Sequence, residues 1–284
     1  MISVRVAPLF SKLLSLVDRL GRRTAISLVY TYRVLEMIYL SVRAVIIDES
    51  QSLRAIFDVV SAQIYFTGCQ ALPLMTVLAL ATGTIAILQS ATQLSMIGSA
   101  SMLGNILVII IVREVGPLLT ALIVIARSGT AVASEIGNMR VNREIEALEV
   151  MGINPLSYIV FPRLFGGIIS VVCLAFYFDL IAILGGFLVT RFLHSISFDF
   201  FAESIANALS YDDVWLFLLK NTFSGVIIFV ISCDQGMRVR HSSHEVPQAT
   251  TRAVVNAIIF VTIFNLGVTS LYYFNRLHEM GLIG

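Results

Sequence analysis

Four ionisable residues stand in stretches that are otherwise apolar: Arg113, Glu114, Asp179 and Lys220. A lone charge in hydrocarbon costs roughly 3 kcal/mol or more, so such a residue pairs, hydrates or serves a function. Pro117 follows three residues after Glu114. It lacks an amide hydrogen and interrupts the helix ladder. Arg113, Glu114, Pro117, Asp179 and Lys220 are therefore the candidate substrate-binding set, a polar site beside a kink at membrane depth. The competing reading is an internal ion pair that fixes the packing of the spans. Lys220 falls ~10 Å inside its apolar run at 1.5 Å per residue. Glu114 and Asp179 are the acids at that depth that can neutralise it.

A second constellation is charged and amphipathic. From Glu135 to Asn154, Ile145, Leu148 and Met151 with Gly152 recur at three-to-four spacing, and Arg140, Arg143, Glu144, Glu146 and Glu149 fill polar positions. Gly152 and Asn154-Pro155 form a helix stop. Such a helix between two spans either inserts into a cleft on a soluble partner or lies flat on the membrane surface. Arg140, Arg143, Glu144, Glu146, Leu148, Glu149 and Met151 are the candidate partner contacts. Just before it, Ala126, Ser128, Gly129, Ala131, Ala133 and Ser134 make a small-residue surface for close helix packing. Arg127 and Arg163 sit at span ends, where anchoring to headgroups is the simpler role.

Other chemistry is missing. A P-loop needs Gly-x-x-x-x-Gly-Lys-[Ser/Thr], and the two lysines, Lys12 and Lys220, do not follow glycine. His241-Ser-Ser-His244-Glu245 lacks the HExxH zinc spacing and reads as solvated loop. No Gly-x-Ser-x-Gly elbow occurs. Cys69, Cys173 and Cys233 are far apart, lie in apolar runs and read as buried small residues. The expectation is a chain with no catalytic residue, no metal site and no cofactor of its own.

The elements that must carry these residues follow from composition. The 284 residues are 57% hydrophobic and 13% charged, about half the charge of an average soluble chain. With a net charge of +1, no overall field draws the chain to nucleic acid. The class is an all-α polytopic membrane protein. Between Asp58 and Arg113 lie 54 uncharged residues, enough for two spans, 64–88 and 100–126. Further spans fit 163–190, 213–233 and 251–273. The segment 192–212, with Asp199, Glu203, Asp212 and the adjoining Asp213, reads as loop or surface helix.

Residues 1–58 form a separate N-terminal region, with 59–284 the transmembrane domain. Leu9, Phe10, Leu13, Leu14, Leu16, Val17 and Leu20 oppose Arg5, Lys12, Asp18, Arg19, Arg22 and Arg23, the pattern of an amphipathic interfacial helix. Residues 24–47 read as interfacial or weakly inserted. Fifteen Lys/Arg fall on the side of the N-terminus and the 127–163 and 234–252 loops, against Arg191 and Arg276 on the other. By the positive-inside rule the N-terminus is cytoplasmic and the C-terminus faces out. No internal repeat points to an inverted-repeat carrier.

The run REVGPLLTALIVIARSGTAVASEIGNMRVNREIEALEVMGINPLSYIVFPR, 113–163, resembles the signature of the MlaE/YrbE permeases, membrane subunits of MCE-associated ABC transporters. The segment Asp179 to Gly186, DLIAILGG, and the segment Ala249 to Val255, ATTRAVV, are similar to later family patterns. The 234–248 loop, DQGMRVRHSSHEVPQ, departs from the glycine-rich loop usual there. The resemblance implies a homodimer with five spans, an interfacial N-terminal helix and a cytoplasmic coupling helix at 135–154. It implies location in the bacterial inner membrane, and a separate cytoplasmic ATPase that binds ATP and Mg. A periplasmic MCE-domain lipid carrier and, often, a small STAS-domain protein complete the set of partners. The implied cargo is phospholipid or another hydrophobic lipid. The alternatives are a self-sufficient ion-coupled transporter using Arg113, Glu114, Asp179 and Lys220 as a relay, and a membrane-embedded lipid enzyme.

Overall fold

The computed structural model describes residues 32–45, 53–94, 102–194, 197–240 and 242–279. The amphipathic helix expected within the first 23 residues lies outside them. Among the described residues all regular structure is helical. Five helices are long and apolar enough to cross a membrane: Ile56–Ser90, Gly104–Val141, Leu156–Phe192, Tyr211–Met237 and Glu245–His278. The chain is an all-α polytopic membrane protein, as expected. Four of the helices overrun the expected span at both ends, and the second starts at Gly104 rather than 100 but continues to Val141, because hydropathy marks the part suited to hydrocarbon while the backbone ladder continues into polar sequence.

Helix α1 covers residues 32–45. Val34, Met37 and Ile38 rest on the core, Ser41 is buried, and Tyr32, Leu35, Tyr39 and Val42 stay exposed. The first span is α2 (Leu53–Thr67), a 3-10 turn at Cys69–Ala71, and α3 (Leu72–Leu94). The second is one long rod: α4 (Met102–Leu107), a π segment Val108–Val115, α5 (Gly116–Val124), a π segment Ile125–Gly129, and α6 (Thr130–Val141). Helix α7 (Glu144–Val150) follows. The third span is a π segment Leu156–Val160 and α8 (Phe161–His194). Then come α9 (Phe198–Ala208), α10 (Tyr211–Met237) and α11 (Glu245–Glu279).

Two π segments end just before a proline, at Pro117 and Pro162. A proline inside an α-helix removes one amide donor and crowds the carbonyl four residues back. A wider turn immediately upstream relieves that crowding, which is how the helices pass through both prolines.

Helix α8 is the axle of the bundle and packs on α2, α3, α5 and α10. Backbones approach closely at small residues: a Cβ on Gly83 would sit 1.9 Å from the Ala182 carbonyl oxygen. The small-residue surface of the second rod packs within the chain, against α10 and α11. A Cβ on Gly236 would come within 2.9 Å of the Ala133 carbonyl.

The cysteine expectation needs correction. Cys233 is buried, but Cys69 and Cys173 are exposed. In a membrane protein an apolar run faces lipid as readily as core. Segment 192–212 contains a true helix. Ser197 caps α9 by accepting from the Phe200 amide at 3.4 Å, and Phe201 and Ile205 are its buried face. The Gly104 amide donates to Ser204 Oγ at 3.2 Å, fastening α9 to α4.

Candidate functional site

The charged residues at membrane depth form two ion pairs at the end of the bundle that carries α9. Arg113 sits in the π segment before Pro117. Its Nε lies 2.6 Å from Asp213 Oδ1, and its Nη2 donates to Asp213 Oδ2 at 3.1 Å. Both side chains are buried, 7% and 1% exposed. The Tyr272 ring of α11 lies 5.7 Å from the guanidinium carbon, within cation–π range. Asp213 has a second task. It is the third residue of α10, and it accepts from the Ser210 amide at 2.9 Å and from Ser210 Oγ at 3.0 Å. This closes a capping box.

Lys220 lies nine residues into α10, about 14 Å along its axis. Its side chain is wholly buried. Nζ donates to the main-chain carbonyl of Arg113 at 2.5 Å and lies 3.2 Å from Glu114 Oε1. The carbonyl of residue 113 is the one that an amide at position 117 would cap in an α-helix. Pro117 has no such amide. The proline thus leaves an acceptor for the lysine. Glu114 is the open member, its side chain 39% exposed. Thr269 Oγ1 of α11 contacts both its carboxylate oxygens at 3.1 Å.

Of the two acids that could neutralise Lys220, the structure uses Glu114. Asp179 stands apart from both pairs, buried in α8 with its Oδ1 against Gly116. Pro117 is buried as well. The relay of Arg113, Glu114, Asp179 and Lys220 is therefore not assembled as one chain of contacts. Sequence reasoning missed Asp213, Thr269 and Tyr272. The Ser210-x-x-Asp213 spacing is a helix-start signature and marks Asp213; Thr269 and Tyr272 carry no such signal.

Next to this cluster in the fold, α8 and α9 enclose an apolar cleft of about 300 Å³, lined by Leu180, Leu184, Phe187, Phe198 and Phe201 among others.

The partner-contact candidates gather at the opposite end. The helix expected across the charged segment is broken: α6 runs on to Val141, Arg143 adopts the left-handed conformation (φ 59°), and α7 begins at Glu144. Gly152, at φ 75°, ends the motif, where glycine carries no Cβ penalty. Ile145 is fully buried, and Leu148 packs on the core. Glu144, Ala147, Glu149, Val150 and Met151 are exposed. Val150, 88% exposed, and Met151, 64%, make an apolar tip; Val150 escaped the sequence reading. Glu146 and Arg140 are half-buried, and Arg143 is exposed. Beside α7 a cavity of about 620 Å³ is lined by Asp58, Glu135, Asn138, Glu144, Tyr158 and Arg163.

Arg163 and Arg127 bind within the chain. Arg163 pairs with Glu135 at 2.7 Å and donates to the Ile159 carbonyl. Arg127 donates to the Phe66 carbonyl at 2.7 Å and to Gln70 Oε1 at 3.0 Å, with the Phe66 ring 5.0 Å from its guanidinium carbon. It clamps the turn between α2 and α3. Among the described residues no cluster of His, Cys, Asp and Glu could hold a metal ion.

The family model described as Permease MlaE matches residues 60–271. A "probable ABC transporter permease protein" of Rickettsia felis is 34% identical over 211 residues, 74% of this chain and 82% of the relative. The intermembrane phospholipid transport system permease protein MlaE of Haemophilus influenzae is 30% identical over 210 residues, 74% of this chain and 80% of that protein. A cyanobacterial "probable ABC transporter permease protein" from Synechocystis is 29% identical over 203 residues. With a five-span helical fold, the paired charges at membrane depth and this match over most of its length, the chain belongs to the MlaE permease family.

Proposed function

We propose that the chain is the permease subunit of an ABC transporter that moves phospholipid, or a related hydrophobic lipid, between the inner membrane and a periplasmic MCE-domain carrier. The observation that carries this reading is the half-open Glu114, held by Lys220 and Thr269 at membrane depth. A carboxylate pinned between a buried ammonium and a hydroxyl presents polar atoms to a headgroup within an apolar wall. The nearby cleft between α8 and α9 offers apolar surface for acyl chains. The Haemophilus relative is named for phospholipid transport, which supports this choice of cargo.

Energy comes from a separate cytoplasmic ATPase that binds ATP and Mg. The α7 end is cytoplasmic, in keeping with the distribution of Lys and Arg, and the exposed tip of Glu149, Val150 and Met151 is the surface offered to that partner. The permease works as a homodimer, and a STAS-domain protein can join the cytoplasmic side.

The test is reconstitution of the permease with its ATPase and MCE partner in vesicles, followed by ATP-dependent transfer of labelled phospholipid to the carrier. Glu114→Ala is expected to reduce transfer at least tenfold. Unchanged transfer, with outer-membrane integrity intact in cells, would overturn the role of Glu114. Mass spectrometry of lipid copurifying with the complex identifies the cargo.

A further inference from the structure

The charge balance at membrane depth closes without Asp179. Arg113 is taken by Asp213, and Lys220 by Glu114 and the Arg113 carbonyl. Asp179 lies just past the middle of α8, 6% exposed, and among the described residues no hydrogen bond or ion pair reaches it. An ionised carboxylate in that position would be a buried, unpaired charge, the most costly state a side chain can adopt; such groups take the neutral form instead.

Two more buried oxygens without partners lie on the helices packed against α8. Thr120 Oγ1 is on α5 and Asn221 Oδ1 on α10. Their places follow from the packing. Gly116 of α5 touches Asp179 Oδ1, and Thr120 is one turn along the same face. Gly225 of α10 packs on Ile168 and Val171 of α8. Asn221 is one turn back toward Asp179, because α8 and α10 run antiparallel. Asn221 already donates its amide to the Phe217 carbonyl at 2.9 Å, so its remaining oxygen is an acceptor only. Native interiors rarely leave such groups unmatched. Here the acid and two further oxygens, the Thr120 hydroxyl that can donate or accept and the Asn221 acceptor, stand without partners about a turn apart and do not bond one another.

We propose that Asp179 is a proton-binding site: in this conformation it is a neutral carboxylic acid, buried against Gly116 with no partner among the described residues within hydrogen-bond reach to offset a charge. The proton is released only when the α5–α8 contact opens and water reaches the carboxyl. The charged groups facing this region are Arg113 and Glu114 from the second rod and Asp213 and Lys220 from α10. Helix α3, also packed on α8, brings none; α2 has Asp58 at the α7 end, and α9 adds the acids Asp199 and Glu203, which bring no positive charge. Arg113, Glu114, Asp213 and Lys220 form neutral pairs, so no net charge compensates an ionised Asp179. The close seat on Gly116 makes α5 the element that must move. The proposal stands whatever the cargo.

The test is infrared spectroscopy of the full-length permease in lipid nanodiscs, scanned across pH, for wild type and Asp179→Asn. A protonated carboxyl in an apolar site gives a carbonyl band separate from carboxylate bands. That band is expected in wild type at neutral and mildly alkaline pH, shifted in deuterium oxide, and absent in Asp179→Asn. Because Asn has the shape of the neutral acid, D179N is expected to unfold within about 2 °C of wild type, a small shift for a chain of this size. Wild type without the band at neutral pH, or a band that survives D179N, overturns the proposal. So does a D179N chain that unfolds well below wild type while Asp179→Glu does not, since that shows the charge itself to be required.

Discussion

Lys220 Nζ donates to the main-chain carbonyl of Arg113, an acceptor left open because residue 117 is proline. One contact joins a sequence feature of the second span to the only lysine in the membrane helices. It also sets the lysine beside the next residue, Glu114. The side chain and the backbone carbonyl together hold a cation where hydrocarbon would reject it.

The pair should be asymmetric. Glu114→Gln leaves a fully buried ammonium with neutral carbonyl acceptors and no counter-charge, whereas Lys220→Met leaves a carboxylate that already reaches solvent or headgroups. We expect E114Q to destabilise by about 2–4 kcal/mol, toward the lower part of the range for a broken buried pair, and K220M by less. The double variant should resemble K220M, with a coupling of ~1–3 kcal/mol. Denaturant unfolding of the four chains in one detergent checks the cycle.

Asp213 serves as helix cap and counter-ion at once, and the two roles separate by mutation. Ser210→Ala removes only the cap, expected to cost ~1 kcal/mol. Asp213→Ala also strands a buried guanidinium, expected to cost ~3–5 kcal/mol. Equal losses in thermal unfolding would show that the Arg113 contact contributes nothing.

Gly116 is fixed by space. A methyl there would come 2.0 Å from Asp179 Oδ1 and 2.8 Å from the Ile111 carbonyl. Gly116→Ala is expected to lose ~1–3 kcal/mol by overpacking, and Asp179→Ala in the same chain to recover part of it. Melting curves of the single and double variants decide the point.

At the other end, α7 divides into inward and outward residues. Ile145→Ala should cost ~2–5 kcal/mol, as a cavity in a packed core does. Val150→Ala with Met151→Ala should change stability by less than ~0.5 kcal/mol and yet lower capture of the ATPase in pull-downs severalfold. Undiminished capture would move the contact elsewhere.

The five helices were legible because apolar length is a one-dimensional signal. The depth of Lys220 and its pairing with a nearby acid were legible for the same reason, since charges in apolar runs are few. The partner of Arg113 was not. Asp213 was read as the edge of a span, and only the folded capping box turns its carboxylate inward. Ile145 and Val150 show the limit of periodicity. Spacing finds an apolar edge on α7 but does not say which part faces the chain's own core. The cysteines failed for a related reason: with lipid on the outside, apolar sequence says nothing about which side is the interior.

The π segments have a geometric consequence. A π turn needs more residues to complete a revolution than an α turn, so the chain leaving it is rotated relative to an unbroken helix. The second rod contains two such segments. It therefore behaves as three short screws with different phases on one axis. The first π turn aims Glu114 and the Arg113 carbonyl at Lys220, and the last screw lays Ala133 and Ile136 against Gly236. Adding or deleting a single residue at either π segment would reset the phase of everything beyond it, and the two ends of the rod would no longer face their partners together.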